Sequence, residues 1–84
     1  MEYKVNFTRA AIRVLEKVPA PYYSAIKDAI ENLAKEPRPI GSKKLKGVEG
    51  YRIRVNTYRV IYDIFDNVLT VEIITIGHRK DIYR

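Results

Sequence analysis

Residues 51–76 form three short runs, roughly 51–55, 58–65 and 68–76, in which apolar and polar side chains alternate. Only Asn56-Thr57 and Asp66-Asn67 separate them. Alternation with period two sends successive side chains to opposite faces of a strand. Links this short leave antiparallel hairpins as the connection. A two-residue loop at 56–57 pairs 55 with 58 and sets 54 opposite 59 and 52 opposite 61. A two-residue loop at 66–67 pairs 64 with 69 and 60 with 73. One face then gathers Tyr51, Ile53, Val55, Tyr58, Val60, Tyr62, Ile64, Leu69, Val71, Ile73 and Thr75 and needs a cover. The other carries Arg52, Arg54, Arg59, Asp63 and Glu72, with Ile61, Phe65, Ile74 and Ile76 among them. A slip of one residue would drive the arginines into the core, so the register is strongly specified.

The cover lies upstream. Tyr3, Val5 and Phe7 alternate with Glu2, Lys4 and Asn6, which predicts a first strand. Thr8 is placed to cap a helix bearing Ala11, Ile12, Leu15 and Val18 at helical spacing. Pro19 ends it, and Pro21 suits the first turn of a second helix over 21–36, with Tyr22, Ile26, Ala29, Ile30 and Leu33 on one stripe. So short a link between helices implies an antiparallel helical hairpin. Residues 37–50 hold proline, glycine and lysine without a period and read as a loop. The expected fold is α+β, in the order β-α-α-β-β-β. A mainly antiparallel four-stranded sheet is backed by the helical hairpin, with a short C-terminal tail or helix. The 84 residues make a single domain, 1–84.

The chain has a formal net charge of +6, and its location is informative. Residues 38–59 carry Arg38, Lys43, Lys44, Lys46, Arg52, Arg54 and Arg59 against Glu49 alone, which is the whole surplus. A basic surplus confined to one stretch points to a polyanionic partner, nucleic acid first. The chain has no cysteine, which excludes disulfide and thiolate chemistry. No apolar run approaches the roughly 20 residues that span a bilayer. A cytoplasmic protein with no membrane partner is expected. No convincing cluster of histidine and carboxylate residues suggests a metal site, and no cofactor is indicated.

Two readings of the three arginines stand side by side. They stack over Ile61 and Ile74 and pair with Asp63 or Glu72, or they form a phosphate site, because guanidinium forks suit phosphate oxygens. The last strand runs into "GHRKDIYR", residues 77–84. Gly77 permits a sharp exit, which would hold His78, Arg79 and Tyr83 at the end of the sheet beside the arginine face.

"KLKG" followed by "YRIRVNTYRVIYDIFDNVLTVEIITIGHRKDIYR" resembles the RelE family of type II toxins, within the RelE/ParE superfamily. The similarity spans the chain and is carried most clearly by "YRVIY" and "GHRKDIY". It implies a RelE-like fold and a metal-independent mRNA endonuclease that cuts in the ribosomal A site and is held inactive by a cognate antitoxin. By position, Arg52, Arg54 and Arg59 match the family's basic residues on the central strands. Arg79 matches its arginine after the last strand, and Tyr83 its C-terminal tyrosine. Well-known members carry lysine at the places of Arg52 and Arg54. Arginine keeps its proton where lysine can lose it, which counts against a general base at position 54. The implied roles are Tyr83 as base, Arg79 as transition-state stabiliser and His78 as the rival acid or base. Lys43, Lys44 and Lys46 would join Arg52 and Arg54 in holding RNA and ribosome, and the antitoxin would be acidic where it meets residues 38–59. A ParE-like inhibitor of DNA gyrase, or a nuclease-dead RNA- or antitoxin-binding module, are the alternatives on the same fold.

Overall fold

A computed structural model describes residues 2–78. β1 (Lys4–Phe7) is followed by α1 (Arg9–Lys17), α2 (Ala20–Leu33), β2 (Lys43–Lys44), β3 (Tyr51–Val55), β4 (Tyr58–Phe65), a 3-10 turn (Asp66–Val68) and β5 (Thr70–His78). The sheet order is β1-β5-β4-β3-β2. All neighbours are antiparallel except β1, which runs parallel to β5. Two helices on one face of this sheet give the α+β class read from the sequence.

Local chemistry explains where the helices begin. Thr8 caps α1 by accepting a hydrogen bond from the Ala11 amide. Pro19 caps α2 with extended backbone, and Pro21 occupies its first turn, where a missing N–H costs nothing. The second helix closes at Leu33, three residues before the boundary expected at 36. Ala11 of α1 and Ile26, Ile30 and Leu33 of α2 are buried against Ile53, Val60, Tyr62, Val71, Ile73 and Ile76 of the sheet. Ile12 and Tyr22, read on the same stripes, are exposed.

The first hairpin has the expected register, with Val55 opposite Tyr58, Arg54 opposite Arg59 and Arg52 opposite Ile61. Asn56 takes the left-handed conformation that the two-residue turn requires, at φ 56°. Elsewhere the sheet departs from the sequence reading. Among the described residues it has five strands, because Lys43 and Lys44 pair with Arg52 and Tyr51 inside the segment read as loop. The second hairpin also has a different register. The 3-10 turn and Leu69, at φ 47°, lengthen the connection, so Ile64 pairs with Val71 instead of Leu69. That shift of two preserves the faces. A bulge then adds one residue, Ile74, between the Tyr62–Ile73 and Ile61–Thr75 pairs, so Val60 faces Ile76 instead of Ile73. A single extra residue inverts every side chain beyond it. Ile76 is therefore buried in the core, and Thr75 takes the helix-free face. The bulge is held from outside the hairpin. The Thr8 amide donates to the Ile73 carbonyl at 3.0 Å, and the Thr8 hydroxyl donates to the Ile74 carbonyl at 2.6 Å.

Candidate nucleic-acid interface

The β3–β4 register places two rows of cations on the face turned away from the helices. Arg54 stands opposite Arg59, and Lys43 stands opposite Arg52, whose other neighbour is Ile61. Like charges set directly opposite destabilise a sheet, so the arrangement needs either compensation or an anion. Two adjoining grooves follow the rows. One, of about 430 Å³, is lined by Lys43, Lys46, Arg52, Arg59 and Ile61 among others. The other, of about 320 Å³, is lined by Ile40, Gly41, Lys43, Arg52 and Arg54. Arg54 is exposed, Arg52 is half-buried and Arg59 is only 2% exposed at the groove wall. A larger cavity, about 610 Å³, lies between β1 and α2 and touches none of these arginines.

A second set of contacts holds the lysine edge in place. Arg38 forms an ion pair with Asp66 at 3.0 Å and donates to the Tyr51 hydroxyl at 3.2 Å. Tyr3 donates to Asp66 at 2.6 Å. The Lys44 amine lies 5.3 Å from the centre of the Tyr51 ring, which stacks on Tyr62. The Tyr62 hydroxyl donates to the buried Pro37 carbonyl at 2.7 Å. Both ends of the segment from Pro37 to Lys44 are thus tied to β3 and β4. Hydrogen bonds from Arg38 and then Tyr3 hold the Asp66 carboxyl below its ordinary range, and the same Asp66 contact raises the Tyr3 hydroxyl. Burial pushes Tyr62 up to about 12. The Arg38–Asp66 pairing is not legible in the sequence, because 28 residues separate the two and no local pattern links them.

The expected site residues do not all meet. Lys43, Lys46, Arg52, Arg54 and Arg59 gather at the grooves. Lys44 borders the first groove, but its amine turns to Tyr51. His78 is not beside the arginines. It pairs with Tyr58, meets that ring edge-on at 5.5 Å, and lines a hollow with Val14, Lys17 and Val18 of the helical side. The bulge at Ile74 causes this, since it exchanges the faces of Gly77 and His78; Gly77 is the residue opposite Arg59. Arg79 and Tyr83 lie outside the described residues.

Residues 5–83 match the family described as the ParE toxin of the type II toxin–antitoxin system parDE. The chain is also 38% identical to Toxin RelG of Mycobacterium tuberculosis, covering 100% of this chain and 99% of the relative. It belongs to the RelE/ParE family of type II toxins. The mRNA interferase toxin RelE of Escherichia coli is 26% identical, with 95% of this chain and 86% of that protein covered. A solved toxin–antitoxin complex, RelBE2 of M. tuberculosis, superposes with a TM-score of 0.83 at 33% identity, covering 94% of this chain and 100% of that one. The helical hairpin and mainly antiparallel sheet are therefore the family's own architecture. On the helix-free face of that architecture this chain places three arginines and a lysine on adjoining strands.

Proposed function

We propose that this RelE/ParE-family toxin is a ribosome-dependent, metal-independent mRNA endonuclease, neutralised by a cognate antitoxin. The observation that carries the reading is the pair of cross-strand cation rows, Arg54–Arg59 and Lys43–Arg52, on one face of the sheet. Relatives named as mRNA interferases and a related toxin solved with its antitoxin support it.

The reaction is an internal phosphoryl transfer. A ribose 2′-hydroxyl loses its proton and its oxygen bonds to the adjacent phosphorus. The bond from phosphorus to the 5′-oxygen breaks, and that oxygen takes up a proton. The products are a 2′,3′-cyclic phosphate and a 5′-hydroxyl. Positive charge fixed before the reaction stabilises the crowded phosphorane most, because it costs no reorganisation when the charge develops. Arg52 and Arg54 keep their protons throughout and serve as cations. Tyr83 acts as the base and Arg79 supports the leaving oxygen. His78 ranks behind Tyr83, since its ring is engaged with Tyr58 on the helical side. Lys43 and Lys46 extend the contact to the RNA backbone. The antitoxin carries acidic residues where it meets residues 38–59, which carry the chain's charge surplus.

The test is induction in cells, with sequencing of RNA 5′ ends beside a measurement of gyrase-linked DNA breaks. The proposed activity gives new RNA ends confined to translated frames, and Tyr83→Phe abolishes them. DNA breaks without RNA ends would instead establish the gyrase-directed activity of the ParE branch.

A further inference from the structure

The helix-free face carries a second like-charge pair, of opposite sign. Asp63 and Glu72 stand directly opposite each other on β4 and β5, flanked by Asn6 on β1. Their neighbours Tyr62, Val71 and Ile73 are buried on the helical side, so both carboxylates project to the same face as the arginines. Among the described residues neither forms an ion pair. The nearest polar contact is local, from the Ile64 amide to Asp63 at 2.9 Å. Asp63 lies two residues along β4 from Ile61, the residue opposite Arg52. At about 3.3 Å per residue along the strand and about 4.8 Å between strands, Arg52 lies roughly 8 Å from Asp63, about one Debye length at physiological salt. Lys4 stands one row further on, opposite Thr70. The face is therefore divided across its strands, cationic toward the first hairpin and anionic in the next row.

We propose that Asp63 and Glu72 set the boundary of the RNA track. They confine a single strand to a path across the strands, along the accessible cations Lys43, Arg52 and Arg54, and repel phosphates from running down the sheet. The pair is thus a specificity element that limits how many nucleotides the toxin engages. It restrains binding of long free RNA, which leaves selection of the site to whatever presents a short stretch of message. This rests on the RNA-cleaving reading above.

The test uses oligoribonucleotides of increasing length, methylated on the 2′-oxygen so that none is cut, with binding followed by fluorescence anisotropy at several salt concentrations. For the wild type, affinity stops rising with length once the accessible cations Lys43, Arg52 and Arg54 are filled. For the double variant Asp63→Asn/Glu72→Gln, affinity keeps rising with length. The longest oligomer binds about threefold tighter than to the wild type at 0.1 M ionic strength, the effect of removing two charges at this range, and its salt dependence is steeper. The variant also melts no lower than the wild type, since opposed carboxylates are relieved. The same length plateau and salt slope in both proteins would overturn the proposal. So would unchanged RNA binding together with weakened affinity for a lysine-rich peptide, which would make the pair a dock for a cationic partner. An Arg52→Ala/Arg54→Ala control that binds RNA as the wild type does would remove the RNA reading itself, and the boundary with it.

Discussion

Replacing Tyr62 by phenylalanine isolates one buried hydrogen bond. Tyr62 is fully buried, and its ring stacks on Tyr51 with centroids 5.9 Å apart. Phenylalanine keeps that ring and its packing. Only the hydroxyl is removed, and with it the donor to the buried Pro37 carbonyl, 2.7 Å away. Leaving a buried acceptor without its donor costs about 1–3 kcal/mol. For a domain of this size each kcal/mol lowers Tm by about 4–8 °C. Urea unfolding should show a lower midpoint with an unchanged slope, because the surface buried on folding hardly changes. The pH dependence gives an independent check. Burial raises the Tyr62 hydroxyl from 10.0 to about 12, so the folded chain keeps a proton that the unfolded chain releases. The stability held by this protonated hydroxyl is complete below about pH 10 and is lost as pH rises through about 12. The wild type should therefore lose more stability than Tyr62→Phe over that interval. A midpoint shift below about 0.3 kcal/mol, or parallel losses at high pH, would refute the assignment of Pro37 as a dry, obligatory partner.

Thr8→Ala removes the α1 cap and the hydroxyl anchor of the Ile74 bulge while keeping the amide bond to Ile73, and should cost about 1–2 kcal/mol in urea unfolding. Asp66 is held below its ordinary range by Arg38 and then Tyr3. Its contribution is thus present above that range and lost as pH falls through the folded value, and Asp66→Asn should flatten the acid side of a Tm-against-pH curve, with the difference shrinking in 1 M salt. Arg52→Ala/Arg54→Ala should weaken RNA binding at all sequences alike and reduce the logarithmic salt slope by about 0.7 for each phosphate no longer neutralised.

What the sequence disclosed depended on how local the determining contacts were. The Asn56-Thr57 hairpin was legible because a two-residue link leaves one register, and Arg54 and Arg59 meet as that register requires. The second hairpin was not. Asp66-Asn67 looks like a two-residue turn, but the chain makes a 3-10 turn there and places Leu69 in a left-handed conformation, which leucine does not advertise. The bulge at Ile74 is fixed by Thr8, 66 residues away, and no pattern within β5 reveals it. Its effect reaches the site, because the exchange of faces beyond Ile74 puts His78 with Tyr58 rather than with the arginines. β2 escaped notice for a different reason: two lysines have little strand propensity, and tertiary pairing with β3 makes the strand. The charge of the basic cluster and the shared face of Arg52, Arg54 and Arg59 were legible, but the burial of Arg59 and the turn of Lys44 to Tyr51 were not, because both depend on tertiary packing.

In the proposed reaction fixed cations stabilise the transition state while the ribosome supplies the alignment. A tyrosine base would be mostly protonated near neutral pH, and a few exposed cations on an open sheet would bind phosphate without fixing the angle of a flexible backbone. Alignment for in-line attack is worth about 7–11 kcal/mol, more than a small sheet can impose alone. The decisive measurement is single-turnover cleavage of one mRNA, free and ribosome-bound, at equal concentrations of purified protein. The expected result is rapid cutting of the bound message, leaving a 5′-hydroxyl and a 2′,3′-cyclic phosphate, and little cutting of the free one. Equal rates would make the protein a free-standing ribonuclease, and no cutting of either, with inhibition of gyrase supercoiling in the same preparation, would contradict the account outright.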